Sequence, residues 1–137
     1  GRLGWAIRAV TRPELLERRA STLEAVEKAV RGDLEERFQY AASVAGRFRE
    51  GREAVRQELT LWMEWWRDVL LVREGLAESI TNLSRLDALS ELAGRLSSVQ
   101  VVRALRAIEE TRDHLERNVN PRLALENLML ALPRASG

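Results

Sequence analysis

The sequence has no cysteine and a single histidine, His114. These gaps exclude disulfides, thiolate zinc sites, cysteine nucleophiles and any metal site built from several histidines. The lack of cysteine agrees with a cytoplasmic location, which is the expectation here. Glycine and proline number only 8 and 3 in 137 residues. Isoleucine is limited to Ile7, Ile80 and Ile108 while leucine is abundant, a balance that favours helix over sheet. The longest uninterrupted apolar runs are Val69 to Val72 and Leu128 to Leu132. Both fall far short of the roughly 20 residues a membrane helix needs, and nothing at the start reads as a signal peptide. A net charge of +1 gives no overall pull toward nucleic acid or acidic membranes.

What is present fits one folded domain: 45% hydrophobic and 31% charged residues, with 22 basic side chains against 21 acidic ones. A chain of this length buries about 68% of its unfolded surface, enough for a core without covalent or metal support. Lys28 is the only lysine. Arginine forks match phosphate oxygens, but GC-rich coding produces the same bias, and the near-neutral balance favours that simpler cause.

Helical signals run the length of the chain. It opens Gly1-Arg2-Leu3-Gly4-Trp5 without an initiator methionine, as expected of a piece of something longer. A short helix is expected from Leu3 to Val10. Thr11 as cap, Pro13 in the first turn and Glu14 three residues after the cap then start a second helix, with Leu16, Leu23, Val26 and Val30 on one stripe and Gly32 at its end. Asp33 with Glu36 opens a third, in which Leu34, Phe38, Ala41, Ala45 and Phe48 recur at helical spacing up to Gly51.

From Arg52 to Arg73 the pattern is apolar almost all round, leaving Gln57, Thr60, Glu64, Arg67 and Asp68 as a strip for water. Such a helix is expected at the centre of a bundle. Glu74 to Ser84 reads as a connection with one helical turn, and Arg85 to Leu96 as a short helix. Ser97 with Gln100 caps the next, with Val101, Leu105, Ile108 and Leu115 inward and charged residues from Arg103 to Arg117 on its other faces. Asn120 and Pro121 start the last helix and Pro133 ends it. The fold class is therefore all-α, a bundle of six or seven helices.

No pattern supports catalysis. A di-metal bundle site places Glu three residues before His on two helices, whereas Thr111 stands three before His114. Glu110 shares a face with His114, but a solvated histidine explains the pair. There is no nucleophile elbow, and Gly1-Arg2-Leu3-Gly4 lacks both the strand and the spacing of a phosphate-binding loop. Carboxylates interleave with arginines on helical faces, as solvation and weak ion pairing require.

The tryptophans are the strongest single feature. Trp62 and Trp66 are four residues apart on one face, with Trp65 about 100° round from Trp66. Flanked by Leu61, Met63, Val69 and Leu70, they read as core and not as a base-stacking platform. Leu105, Ile108, Leu123 and Leu128 complete the expected core. The last helix is apolar on nearly every side, more than one bundle should need, so Arg122, Leu125 and Met129 are the candidate subunit interface.

Four segments carry a resemblance: Leu59 to Leu71, Ile80 to Leu83, Ile108 to Thr111, and Asn118 to Leu130. Their most specific pieces are Trp65-Trp66-Arg67-Asp68 and Asn120-Pro121-Arg122-Leu123-Ala124-Leu125-Glu126. Together the chain from Thr11 to Pro133 resembles the C-terminal region of the delta-prime subunit of the bacterial DNA polymerase III clamp loader, with a similar ending in gamma/tau.

The resemblance implies a helical collar domain at 13–134, preceded at 1–12 by the tail of an AAA+ lid and followed at 135–137 by a disordered tail. Collar domains hold five subunits in a ring, and the AAA+ domains beneath open the sliding clamp and close it on primed DNA. The implied partners are gamma/tau and delta through their collars, and clamp and DNA through the whole complex, with no membrane. The domain has no cofactor of its own, since ATP and zinc belong to upstream domains. Where ATP-hydrolysing relatives carry a second-sensor arginine, this sequence has Gly4, with Arg2 and Arg8 nearby, which fits the non-hydrolysing delta-prime. The competing readings are a gamma/tau-type collar, an arginine-rich helical DNA-binding module, and a small helical enzyme.

Overall fold

A computed structural model describes residues 11–134. The short helix expected at Leu3 to Val10, the lid tail and the C-terminal tail lie outside the described residues, apart from Thr11 and Arg12. Six α-helices make up the described residues, with no strand among them. They are α1 (Arg12–Arg31), α2 (Leu34–Glu50), α3 (Arg52–Arg73), α4 (Leu86–Arg95), α5 (Ser98–Glu116) and α6 (Pro121–Ala131). The expected single turn between α3 and α4 is two short 3-10 turns, Ala77–Ser79 and Leu83–Arg85.

The helices begin where local chemistry supplies partners for their first N–H groups. Thr11, Asp33 and Ser97 each accept from the backbone N–H three residues on, at 3.3, 2.9 and 3.2 Å, and Glu14, Glu36 and Gln100 reach back to the cap. Asn120 caps α6 at 3.1 Å from the N–H of Leu123, with Pro121 in the first turn. Two sharp exits use left-handed backbone: Gly75 (φ 80°) after α3 and Asn118 (φ 61°) between α5 and α6. Glycine and asparagine are the residues that adopt this region at least cost.

α3 is the axis of the bundle, packed against α1, α2, α4 and α5, while α6 wedges between α2 and α5. Trp62, Trp65, Trp66 and Val69 are all buried on it. Each indole removes about 200 Å² from water, an upper bound of roughly 5 kcal/mol. The indole N–H groups of Trp65 and Trp66 have no hydrogen-bond partner. Leaving a buried donor unpaired costs about 1–3 kcal/mol, so apolar burial outweighs it.

Two parts of the expected pattern change. Asp68 is buried, not in the water-facing strip, because the chain after α3 folds back over it. Leu16 is exposed, because only the C-terminal half of α1, at Leu23, Val26, Ala29 and Val30, reaches the core.

Candidate functional site

Three polar clusters are built into the apolar interior, and each ties distant segments together. The first centres on Arg37 of α2, 1% exposed. All five of its N–H groups donate to carbonyls: Nε to Ala29 at 3.0 Å, Nη1 to Met129 and Leu132 at 3.0 Å, and Nη2 to Val30 and Pro133 at 2.9 Å. They lie in the last turn of α1, in the last turn of α6 and in the two residues just past it, where both helix dipoles are negative. Burial, and after it the charge of Arg134, lowers the Arg37 pKa from the ordinary arginine value. An arginine nonetheless stays charged.

The second cluster joins α2 to α3. Trp62 donates from Nε1 to the Tyr40 hydroxyl at 2.7 Å, and Tyr40 donates in turn to Glu58. Arg47 closes the chain with two bonds to Glu58, at 2.6 and 3.2 Å. Burial, then the Glu58 carboxylate, pushes the Tyr40 pKa well above the usual tyrosine value, so the phenol stays a donor. The hydrogen bond to Glu58 raises the Arg47 pKa.

The third cluster fixes the α3 to α4 connection. Asp68 accepts from the backbone N–H groups of Thr81 and Asn82 at 3.0 and 2.8 Å and from the Asn82 side-chain amide at 2.8 Å. Asn82 accepts in turn from Arg19 of α1 at 2.8 Å, and Arg19 pairs with Glu64 at 2.5 Å. Nearby, Arg85 bonds Glu27 and reaches the Ala20 carbonyl at 3.3 Å. The apolar pattern announces neither buried charge, since Asp68 falls in the polar strip of α3. A signal existed for Arg37, which stands three residues after Leu34 and four before Ala41, inside the apolar stripe of α2.

Of the expected core residues, Trp62, Trp65, Trp66, Ile108 and Leu128 are buried and Leu105 is partly buried. Leu123 is corrected from core to surface: it is 53% exposed, because α2 and α5 cover only the opposite side of α6. The same geometry corrects two of the three candidate interface residues. Leu125 and Met129 are sealed inside the chain at 1% and 0% exposure, while Arg122 is exposed and pairs with Glu126 at 3.2 Å. The outward ridge of α6 is instead Leu123 and Leu130, the latter 56% exposed.

A surface groove of about 810 Å³ lies between the N-terminal half of α1 and the side of α3, lined by Leu15, Arg18, Leu61 and Glu64 among others. A smaller pocket of about 200 Å³ lies between α1 and α4 over Trp65. Among the described residues no group of three or more His, Cys, Asp or Glu is arranged to hold a metal. His114 is exposed on α5. No helix among the described residues is long and apolar enough to cross a membrane.

A family model described as the C-terminal domain of the DNA polymerase III delta subunit matches residues 13–133. No curated protein and no solved structure matches the chain. The matched span takes in all six helices except the first residue of α1. The chain belongs to the family formed by the C-terminal domains of DNA polymerase III delta subunits, a clamp-loader domain family.

Proposed function

We propose that the chain is a collar domain of the delta-prime type, a structural module that joins neighbouring clamp-loader subunits into the ring that loads the sliding clamp onto primed DNA. The family match across residues 13–133 carries this reading. The matched family is described by the delta subunit; the finer delta-prime assignment rests on the runs Trp65–Asp68 and Asn120–Glu126 and on Gly4. In this reading the partners are gamma/tau and delta, clamp and DNA are met through the whole complex, and the domain performs no chemistry. The interior agrees with a scaffold: Arg37 and the cluster of Tyr40, Glu58 and Arg47 join one helix to another and Asp68 holds the α3 to α4 connection, which fixes the surfaces that partners would read.

Size-exclusion chromatography of the chain with purified gamma/tau and delta subunits tests the proposal. Co-elution with gamma/tau supports it. Elution of every component at its own volume removes the proposal, and complex formation that substitutes for delta but not for delta-prime in a reconstituted loader reassigns the chain to delta.

A further inference from the structure

α1 and α4 both lie beside Trp65 of α3, and the space left between them is the pocket of about 200 Å³. Its interior is apolar: Val30 of α1 and Ala88 and Leu92 of α4 form the walls, and the Trp65 ring completes them from α3. Val30, Leu92 and Trp65 are buried and Ala88 is partly so. The Trp65 indole N–H, itself buried, has no hydrogen-bond partner among the described residues. Unfilled space and an unpaired donor thus belong to the same site. Wall atoms facing the space forgo dispersion contacts, and the indole forgoes a hydrogen bond.

The rim is charged and balanced. Glu27, Arg31, Glu91 and Arg95 complete the lining, two acids against two bases. Glu27 is bonded by Arg85, and Glu91 pairs with Arg95 at 3.0 Å and, from α4 across to α1, with Arg31 at 3.8 Å. A charged occupant would be desolvated beside acids and bases that already answer one another, so this rim selects an uncharged one. The Arg31 and Glu91 side chains are both more than half exposed, and such a pair opens at little cost. A free small molecule lets it close again, whereas a side chain tethered to another protein holds it open.

We propose that the α1–α4 pocket binds a small uncharged aromatic molecule with one hydrogen-bond acceptor, a carbonyl or a ring nitrogen, that takes the Trp65 N–H. The ring of the ligand packs between Val30, Ala88 and Leu92. The size suits a single ring, since an apolar cavity of about 150 Å³ holds benzene and the remaining space admits the acceptor group. This ligand site stands apart from the collar reading and does not depend on it.

NMR titration of the chain with acetophenone tests the proposal, beside isopropylbenzene, which has nearly the same outline without the carbonyl. The unmodified chain is compared with Trp65→Phe, which keeps a ring and removes the donor, and with Ala88→Leu, which fills the space from its wall. Circular dichroism confirms that both variants keep the fold. Acetophenone is expected to bind the unmodified chain saturably and to shift the Trp65 indole N–H resonance. Trp65→Phe should weaken acetophenone about fivefold more than it weakens isopropylbenzene. Ala88→Leu should weaken both probes at least about tenfold. Absence of saturable binding, an unmoved Trp65 N–H resonance, a loss for acetophenone in Trp65→Phe no larger than that for isopropylbenzene, or undiminished binding to Ala88→Leu overturns the site. The first two outcomes are read on the unmodified chain, so the test holds even where a variant unfolds.

Discussion

Arg37 donates from Nη1 to the Met129 carbonyl at 3.0 Å, joining α2 to a helix 92 residues further along the chain. The same guanidinium reaches α1 through Ala29 and Val30, so one side chain ends two helices at once.

Replacing Arg37 by methionine keeps much of the volume and removes every donor. The carbonyls lose the guanidinium, and although Ala29 keeps the Gly32 N–H at 3.3 Å, the gain from no longer burying a charge does not compensate. A loss of about 3 kcal/mol or more is expected. Lysine, with three donors and no planar fork, should recover only part of it. Urea unfolding of the three proteins measures the order; equal midpoints for Arg37 and methionine would show that the carbonyls have other partners.

Asp68→Asn tests the connection between α3 and α4. The carboxylate faces three donors, and an amide offers one acceptor oxygen while turning its own N–H groups toward them. A loss of about 2–3 kcal/mol is expected, with faster hydrogen exchange at Thr81 and Asn82. Unchanged exchange at those two amides would contradict the role given to Asp68.

Tyr40→Phe should cost about 1–2 kcal/mol near neutral pH, since it leaves the Trp62 N–H without its acceptor and Glu58 with Arg47 alone. The pH dependence has a definite sign. Burial first, then Glu58, raises the folded-state pKa of Tyr40 above its unfolded value near 10. Its contribution is therefore fully present below about pH 10 and is lost as the pH rises from there toward the folded-state pKa. The stability difference between wild type and Tyr40→Phe should shrink above pH 10; a difference that grows there would reverse the sign.

The three buried tryptophans should respond differently to phenylalanine. Trp62→Phe removes a hydrogen bond along with apolar area, whereas Trp65→Phe and Trp66→Phe remove an N–H that has no partner. Trp62→Phe is thus expected to be the most damaging, by about 1 kcal/mol over the other two. Alanine at Trp62 or Trp66 should cost about 3–5 kcal/mol and lower the melting temperature by about 10 °C or more. Thermal melts followed by circular dichroism report both; a Trp66→Ala protein with an unshifted melting temperature would remove the central place given to α3.

The sequence showed most plainly what is decided locally. Thr11 with Glu14, Asp33 with Glu36, Ser97 with Gln100 and Asn120 with Pro121 mark helix starts because each cap and its partner lie within one turn. Asp68 and Arg37 are harder to place because their partners lie beyond their own helix, 13 and 14 residues away for Asp68 and 7 to 96 for Arg37. α6 failed for a different reason. An amphipathic stripe identifies its own buried side, but a helix apolar all round does not, and only the positions of α2 and α5 show that Leu125 and Met129 turn inward while Leu123 and Leu130 turn out.

The central claim is that this domain binds clamp-loader subunits through its fixed helical surface. Isothermal titration of the chain into a gamma/tau subunit and, separately, into primed DNA at low and moderate salt tests it most directly. Saturable heat with the subunit at both salt concentrations, and none with DNA, is expected. Heat with DNA alone, falling steeply as salt rises because phosphate contacts release counterions, would contradict it and identify an arginine-based nucleic-acid binder instead.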